Sequence, residues 1–405
     1  MISVGIDVSK GKSMVCALRP YGEVVISPYE TEHTDEVLSS LCKRIEDIAT
    51  DSEVRIVMEA TGAYHLPILY KLKERSFFVC VVNPLVMKKY ASASIRKGKT
   101  DKLDSVRIAN FGIDNWFKLS DYMMPEETYE ELRILGRQYV HYIEVNVKCK
   151  LSLTNLIDRT MPGIKKYFGS KNSDKPEKYK LCDFVDKYWH FDNITKFTED
   201  EFVDEYNNWA KEMGYHQNAI KAKAIYTCAK AGIPTLSSAS ETTKMLVKEA
   251  VRVTTETGKT LSVILSQMQS LSIALPEYET VRQMQGVGTT LAPRLIAEIG
   301  DVRRFRSGSA LVAYAGLDSP PFESGSFVGT KRSISKRGSP LLRKTGYEVM
   351  KCLKTVKPTE DNAVYQFILK KESEGKSKKS AKIAGLNKFL RIYYARVKEI
   401  YSPTY

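Results

Sequence analysis

Five short apolar runs with strand character crowd into the first 84 residues: ISVGIDV (2–8), SMVCAL (13–18), VVISPY (24–29), VRIVMEATG (54–62) and FFVCVVNP (77–84). Two stretches with helical spacing interrupt them. One covers 34–48, with Leu38, Leu41, Ile45 and Ile48 on one face, and the other covers 64–75. Three strands, a helix and then strand alternating with helix predict an α/β domain on a mixed sheet.

A carboxylate interrupts the first of these runs. Asp7 stands in an otherwise apolar strand, where a charge is costly unless it finds a partner or a metal. Glu59 closes the run VRIVME, before the turn Ala60-Thr61-Gly62. Asp101 and Asp104 follow Thr100, which can cap a new helix and put both acids on one face of its first turns. Taken singly, each acid reads equally well as a strand-end residue, a cap or a surface acid. Taken together, they come from separate elements that a mixed sheet can bring to one point. Their mutual repulsion there would be relieved by a divalent cation, and an all-oxygen set suits Mg²⁺ or Mn²⁺. Two such ions can activate an attacking oxygen and stabilise the leaving oxygen of a phosphodiester.

The remainder reads as helical. Leu132, Leu135, Tyr139, Tyr142, Asn146, Cys149, Leu153 and Leu156 recur three and four apart, a heptad seam with one polar member. Leu261, Ile264, Met268, Leu271 and Leu275 form a second, shorter seam. Two such helices can pair within a chain or between chains. In the stretch 160–240, Thr198 and Glu201 have capping-box spacing, and Phe202, Tyr206, Trp209 and Met213 share a face that reads as core, with Gly214 as a stop. From 277, RQMQGVGTTLAPRLIAEIGD reads as two helices joined at Gly286–Val287–Gly288, and KKESEGKSKKS (370–380) reads as a polar break before a last basic helix. The expected division is 1–120, 121–276 and 277–405.

Charge is distributed unevenly. Residues 331–405 hold 19 Lys/Arg against 6 Asp/Glu, which is nearly all of the net charge of +14. Such a region attracts polyanions, and Phe367, Phe389, Tyr393 and Tyr394 interleaved in it imply a folded surface rather than a tail. The seven scattered cysteines, without a CxxC pair, fit reduced thiols in the cytoplasm and argue against a zinc site. No apolar run is long enough for a membrane span, and the N-terminus lacks the apolar segment of a signal peptide.

The motifs GIDVSK, EATGAY, Asn83-Pro84 and KTDKLDS, followed by GVGTTLAPRLIAEIGD, ALVAYAGLDSPPFESGS and ISKRGSPLLRK, resemble in order those of the DEDD-type transposases of insertion sequences. The resemblance implies an N-terminal domain similar to the RuvC resolvase, of ribonuclease H-like α/β fold. It implies further a helical and coiled-coil middle, and a mainly α C-terminal domain with a helix-hairpin-helix. It implies Asp7, Glu59, Asp101 and Asp104 as metal ligands, and Ser324 as a nucleophile that becomes covalently joined to DNA, although Ser324 read by its surroundings alone is a turn residue and Ser326 is a close rival. Activation of the serine would fall to the carboxylate-bound metal. Gly286 and Gly288 can present backbone N–H groups to a phosphate. Lys331, Arg332, Lys336, Arg337 and Arg343 are candidate phosphate clamps. The implied partners are double-stranded DNA at element ends and target, a structured noncoding guide RNA, and further copies of the chain as a homodimer or tetramer. Two other readings are a structure-selective endonuclease that uses only the four acids and a nucleic-acid scaffold without chemistry.

Overall fold

In the computed structural model the residues described are 1–92, 100–169, 179–319, 333–358 and 362–402, together with the backbone of 323–324 and 327–328. They form two compact units, Met1–Met124 and Pro125–Tyr405. The first holds strands β1 (Ile2–Ser9), β2 (Lys12–Leu18) and β3 (Val24–Glu32), helix α1 (Asp35–Ile48), β4 (Val54–Glu59), α2 (Leu66–Glu74), β5 (Val79–Val82), α3 (Pro84–Ser92) and α4 (Asp101–Asp114). The sheet order is β3-β2-β1-β4-β5. β2 runs antiparallel to both its neighbours, while β1, β4 and β5 are parallel. This is the mixed sheet expected, in the ribonuclease H-like order.

The alternation of β1 decides how the layers stack. Ile2, Val4, Ile6 and Val8 are buried and share a core with Leu38, Leu41 and Ile45 of α1 and Ile68, Leu69 and Leu72 of α2. The other face, Ser3–Gly5–Asp7, meets α4. The fit there is at backbone distance. A Cβ on Gly5 would lie 2.3 Å from the Ser105 carbonyl and 2.4 Å from the Ala109 amide nitrogen, and one on Gly112 would lie 2.1 Å from Ser3 Oγ. α4 therefore runs antiparallel to β1 along its small-residue face, and its first turn arrives over the end of the strand where Asp7 stands.

The second unit is helical: α5 (Glu127–Thr160), α6 (Lys180–Tyr188), α7 (Asp192–Thr195), α8 (Glu199–Glu212), α9 (Ala219–Ala231), α10 (Glu241–Ile273), α11 (Tyr278–Gln283), α12 (Gly288–Ile299) and α13 (Gly308–Tyr314). The two-residue strands β6 (Glu323–Ser324) and β7 (Phe327–Val328) follow, and then α14 (Pro340–Val356), α15 (Ala363–Ser373) and α16 (Lys378–Ile400). Both heptad seams exist, and they meet each other. Leu132 and Tyr139 of α5 share a core with Leu261 and Met268 of α10, and Asn146 donates to the Thr254 carbonyl at 3.1 Å and to Thr257 Oγ1 at 2.6 Å. A polar seam residue that bonds its partner fixes register. These helices pair within one chain, so pairing between chains is not needed to cover the seam.

Two cores lie along this pair. One gathers α6–α9 around Phe184, Phe202, Tyr206 and Trp209, as the capping box at Thr198–Glu201 foretells; Met213, expected on the same face, is exposed. The other gathers α11–α16, and Tyr129 and Tyr401 both hydrogen-bond the buried Glu277 to tie the start of α5 to the end of the chain's last helix. The break expected at 370–380 shrinks to a short turn. Lys and Glu are good helix formers, so α15 continues to Ser373; Gly375, at φ +84°, ends the run and Ser377 caps α16. Among the described residues no helix is long and apolar enough to cross a membrane, and the seven cysteines are free thiols.

Candidate active site

The carboxylates are positioned by register. The last rung of the parallel β1–β4 ladder pairs Ile6 with Met58, so Asp7 and Glu59 come next, side by side on strands about 4.8 Å apart. Gly5 pairs with Val57, and both face α4; two residues further on, Asp7 and Glu59 face the same way. Thr100 Oγ1 accepts the Leu103 amide and caps α4, which sets Asp101 and Asp104 in its first turn. Burial, and secondarily the Asp104 charge, raise the pKa of Glu59 above the usual carboxylate value. Three elements thus deliver Asp7, Glu59 and Asp104 to one end of the sheet.

The approach stops short of a cage. Asp104 turns its carboxylate to Arg107, 2.6 Å away and one turn along, with both side chains about a quarter exposed. Asp101 is exposed, and its charge acts on Lys12, which is itself paired with Glu30 at 2.7 Å. Among the described residues no three His, Cys, Asp or Glu side chains stand close enough together to hold a metal ion. Arg107 was not singled out in the sequence, although its i, i+3 spacing from Asp104 is the signal that finds it. Asn83 and Pro84 open α3, with Asn83 Oδ1 accepting the Leu85 amide.

In the helical unit, Ser324 pairs with Phe327 and Glu323 with Val328, so Ser324 is the last residue of β6 in a two-rung antiparallel pair. Its side chain, Ser326, Lys331 and Arg332 lie outside the described residues. The loop that carries this pair is drawn together at its base. Ser335 donates through its amide to the Asp318 carbonyl and through Oγ to the Asp318 carboxylate; the Lys336 amide donates to Gly316 O, and the Ser339 amide to Tyr314 O. Arg343 Nη1 donates to Ala315 O at 2.8 Å and Gly338 O at 3.2 Å, so this guanidinium bolts the loop base together. Ser339 caps α14 while its Oγ donates to the buried Glu298 of α12 at 3.0 Å. Lys336 and Arg337 are exposed, and neither has a carboxylate partner among the described residues.

Gly286 (φ +87°) and Gly288 (φ +62°) make the turn between α11 and α12. A Cβ at Gly286 would strike the α14 backbone, whereas Gly288 faces open space and the first turn of α12 has no side-chain cap. Pro293 inside α12 leaves the Thr289 carbonyl without its helical donor, and Gln269 Nε2 supplies one at 3.2 Å.

Acids at one end of a sheet, in a chain whose helical unit is basic, suit an enzyme that acts on DNA strands, and comparison with known proteins agrees. A DEDD transposase model matches residues 4–162, and a model described as "Transposase IS116/IS110/IS902 family" matches 278–366. The chain belongs to this transposase family and is a DNA recombinase. It is 22% identical over 359 residues to a pilin gene-inverting protein of Moraxella lacunata, and 22% identical over 352 residues to the one of Moraxella bovis. Each alignment covers 86% of this chain and 81% of the relative. Among solved structures, RuvC of Thermus thermophilus aligns at 11% identity and TM-score 0.23 over 30% of this chain and all of its own. The same protein in complex with a Holliday junction substrate aligns at 10% identity and TM-score 0.22, over 29% and 96%.

Proposed function

We propose that the chain cuts and rejoins DNA at two sites so that a segment is moved or inverted, with the carboxylate end of the sheet as a metal centre and Ser324 as nucleophile. The observation that carries this is the arrival of Asp7, Glu59 and Asp104 at one sheet end from three elements. The oxygen-only donors fit a hard divalent cation, and burial and then the Asp104 charge, which raise the pKa of Glu59, are both offset by a cation placed between the acids. Asp7, Glu59, Asp101 and Asp104 would hold Mg²⁺ or Mn²⁺. When bound, the ion supplies charge stabilisation at the phosphodiester. Arg107 occupies Asp104 until then, and holds the first turn of α4 in order.

The serine's part is a balanced exchange. Ser324 Oγ–H gives its proton to water and Oγ bonds to phosphorus; the deoxyribose oxygen leaves and is protonated. The second DNA end reverses these bonds. The phosphodiester energy is conserved in the phosphoserine, so no nucleotide is consumed, in line with the lack of a GxxxxGK[ST] loop. Around this step the open turn at Gly286 and Gly288, which we read as a helix-hairpin-helix, offers uncapped N–H groups to a DNA phosphate. Lys331, Arg332, Lys336 and Arg337 add positive charge, while Arg343 holds the loop. The chain acts in the cytoplasm as a dimer or tetramer, and a structured guide RNA names the two DNA sites.

The test is strand exchange by Asp7→Asn with Mg²⁺ titrated. Loss of exchange with DNA binding kept supports the reading. Exchange at the wild-type rate contradicts the metal centre.

A further inference from the structure

The α6–α9 part of the helical unit takes no role in the chemistry above. Its core is aromatic: Phe184, Phe202 and Tyr206 are fully buried and Trp209 nearly so. Two lysines are set against the rim of this core. Lys180, the first residue of α6, holds its ammonium 4.7 Å from the ring centre of Tyr215, 5.4 Å from Tyr206 and 5.6 Å from Trp209. Lys221, in the first turn of α9, holds its own 4.5 Å from the ring centre of Phe168.

A ring face attracts an ammonium but supplies no counter-charge. The lysines around this pair do have one: Lys187 meets Glu205 at 2.6 Å and Lys223 meets Glu199 at 3.4 Å. Lys180 and Lys221 meet no carboxylate among the described residues. Asp183, one turn further along α6, accepts from the Tyr215 hydroxyl. Burial, and then the charge of Lys221, push Lys180 down to about 8; burial also lowers Lys221. Both lysines stand in first turns, where helix N–H groups add to the positive field. A third lysine, Lys150 of α5, sits 5.0 Å from the ring centre of Tyr179, the residue before Lys180.

Two half-buried ammoniums, held by rings and without a carboxylate partner among the described residues, make an arrangement suited to an anion. We propose that Lys180 and Lys221 bind a backbone phosphate of a nucleic acid held by the helical unit, an inference that rests on the chain being a DNA-acting transposase. Tyr206, Trp209 and Phe168 are buried and Tyr215 is partly buried beneath the Lys180 ammonium, which leaves no open ring face for a base to stack on. Recognition is of the backbone alone and is indifferent to sequence.

The experiment uses the full chain, with Lys180→Gln/Lys221→Gln and Lys180→Arg/Lys221→Arg as variants. Binding to labelled duplex DNA and to a structured RNA hairpin is measured across a series of KCl concentrations. Each phosphate contact contributes about one unit to the slope of log K against log salt. The Gln pair is expected to lower that slope by about 1 and the affinity by roughly tenfold or more for one of the two nucleic acids, while the Arg pair keeps both. The nucleic acid that responds identifies the source of the phosphate. A footprint by amine acetylation near pH 8, read by mass spectrometry, should show Lys180 and Lys221 protected in that complex. Unchanged slopes for both nucleic acids overturn the site, as does a Lys180 equally reactive free and bound. If the Gln pair does not fold, the footprint on wild-type protein decides. Wild-type protein that binds neither nucleic acid would contradict the wider reading of the chain, whereas wild-type binding that the variants leave unchanged contradicts only this site.

Discussion

The carboxylate end of the sheet and the base of the Ser324 loop are held in place by opposite means. Asp7 and Glu59 are delivered by backbone register, as the next residues after a ladder of main-chain bonds, and α4 is set over them by contacts with no room for a single carbon. The Ser324 pair of strands has only two residues each, and the base of its loop adds side-chain bonds to three main-chain ones: Asp318 with Ser335, Arg343 with two carbonyls, Ser339 with Glu298. Register tolerates a change of side-chain chemistry but no added volume. A loop gathered by side chains tolerates volume but not the loss of a donor.

The sharpest break of this contrast is Glu59→Gln. It removes charge without changing shape, so strand exchange should fall at least about 100-fold, as for loss of a group acting on the transition state. Thermal unfolding should show unchanged or slightly raised stability, because a half-buried charge beside Asp104 has been removed. A variant that loses stability as well would mean that Glu59 supports the fold. Gly5→Ala is the converse. The new methyl meets the Ser105 and Ala109 backbone, and urea unfolding should show a loss of about 3 kcal/mol, at the upper end for overpacking. A neutral result would show that α4 can lift away and that register alone does not place the acids.

In the helical unit, Arg343→Ala should cost about 2 kcal/mol, the scale of charge-assisted bonds to carbonyls. Hydrogen exchange at the Lys336 and Ser339 amides should quicken while α14 beyond its first turn stays protected. If exchange is unchanged, the loop base is held by its main-chain bonds and the contrast fails. The smallest effect belongs to Asn146→Ala, about 1 kcal/mol for two lost bonds between α5 and α10.

These residues also mark how far the sequence could be read. The five strands and the helices around 34–48 and 64–75 were visible because alternation and 3.6-residue spacing are local signals. The convergence of Asp7 and Glu59 was visible only as an expectation, since sheet order depends on pairing between distant segments. The heptad seams predict stripes at 132–156 and 261–275, but spacing does not say which helix covers a stripe; the structure packs Leu132 and Tyr139 with the second seam and Leu153 and Leu156 with the α6–α9 core. α10 begins at Glu241, well before its seam, because its first turns pack on the α6–α9 core through Val247 and Val251. The four acids looked equivalent in sequence. Arg107 separates Asp104 from the others, and exposure separates Asp101. Arg343 looked like one more basic residue near Ser324; only the fold shows that its guanidinium is spent on Ala315 and Gly338.

The proposed exchange turns on a covalent bond between Ser324 and DNA. The measurement is a denaturing gel of wild type, Ser324→Ala and Ser326→Ala with end-labelled DNA and Mg²⁺, followed by peptide mapping of any adduct. An adduct is expected at Ser324 in wild type and in Ser326→Ala, and none in Ser324→Ala. An adduct that survives in Ser324→Ala, maps elsewhere in wild type, or is absent throughout a complete exchange contradicts it.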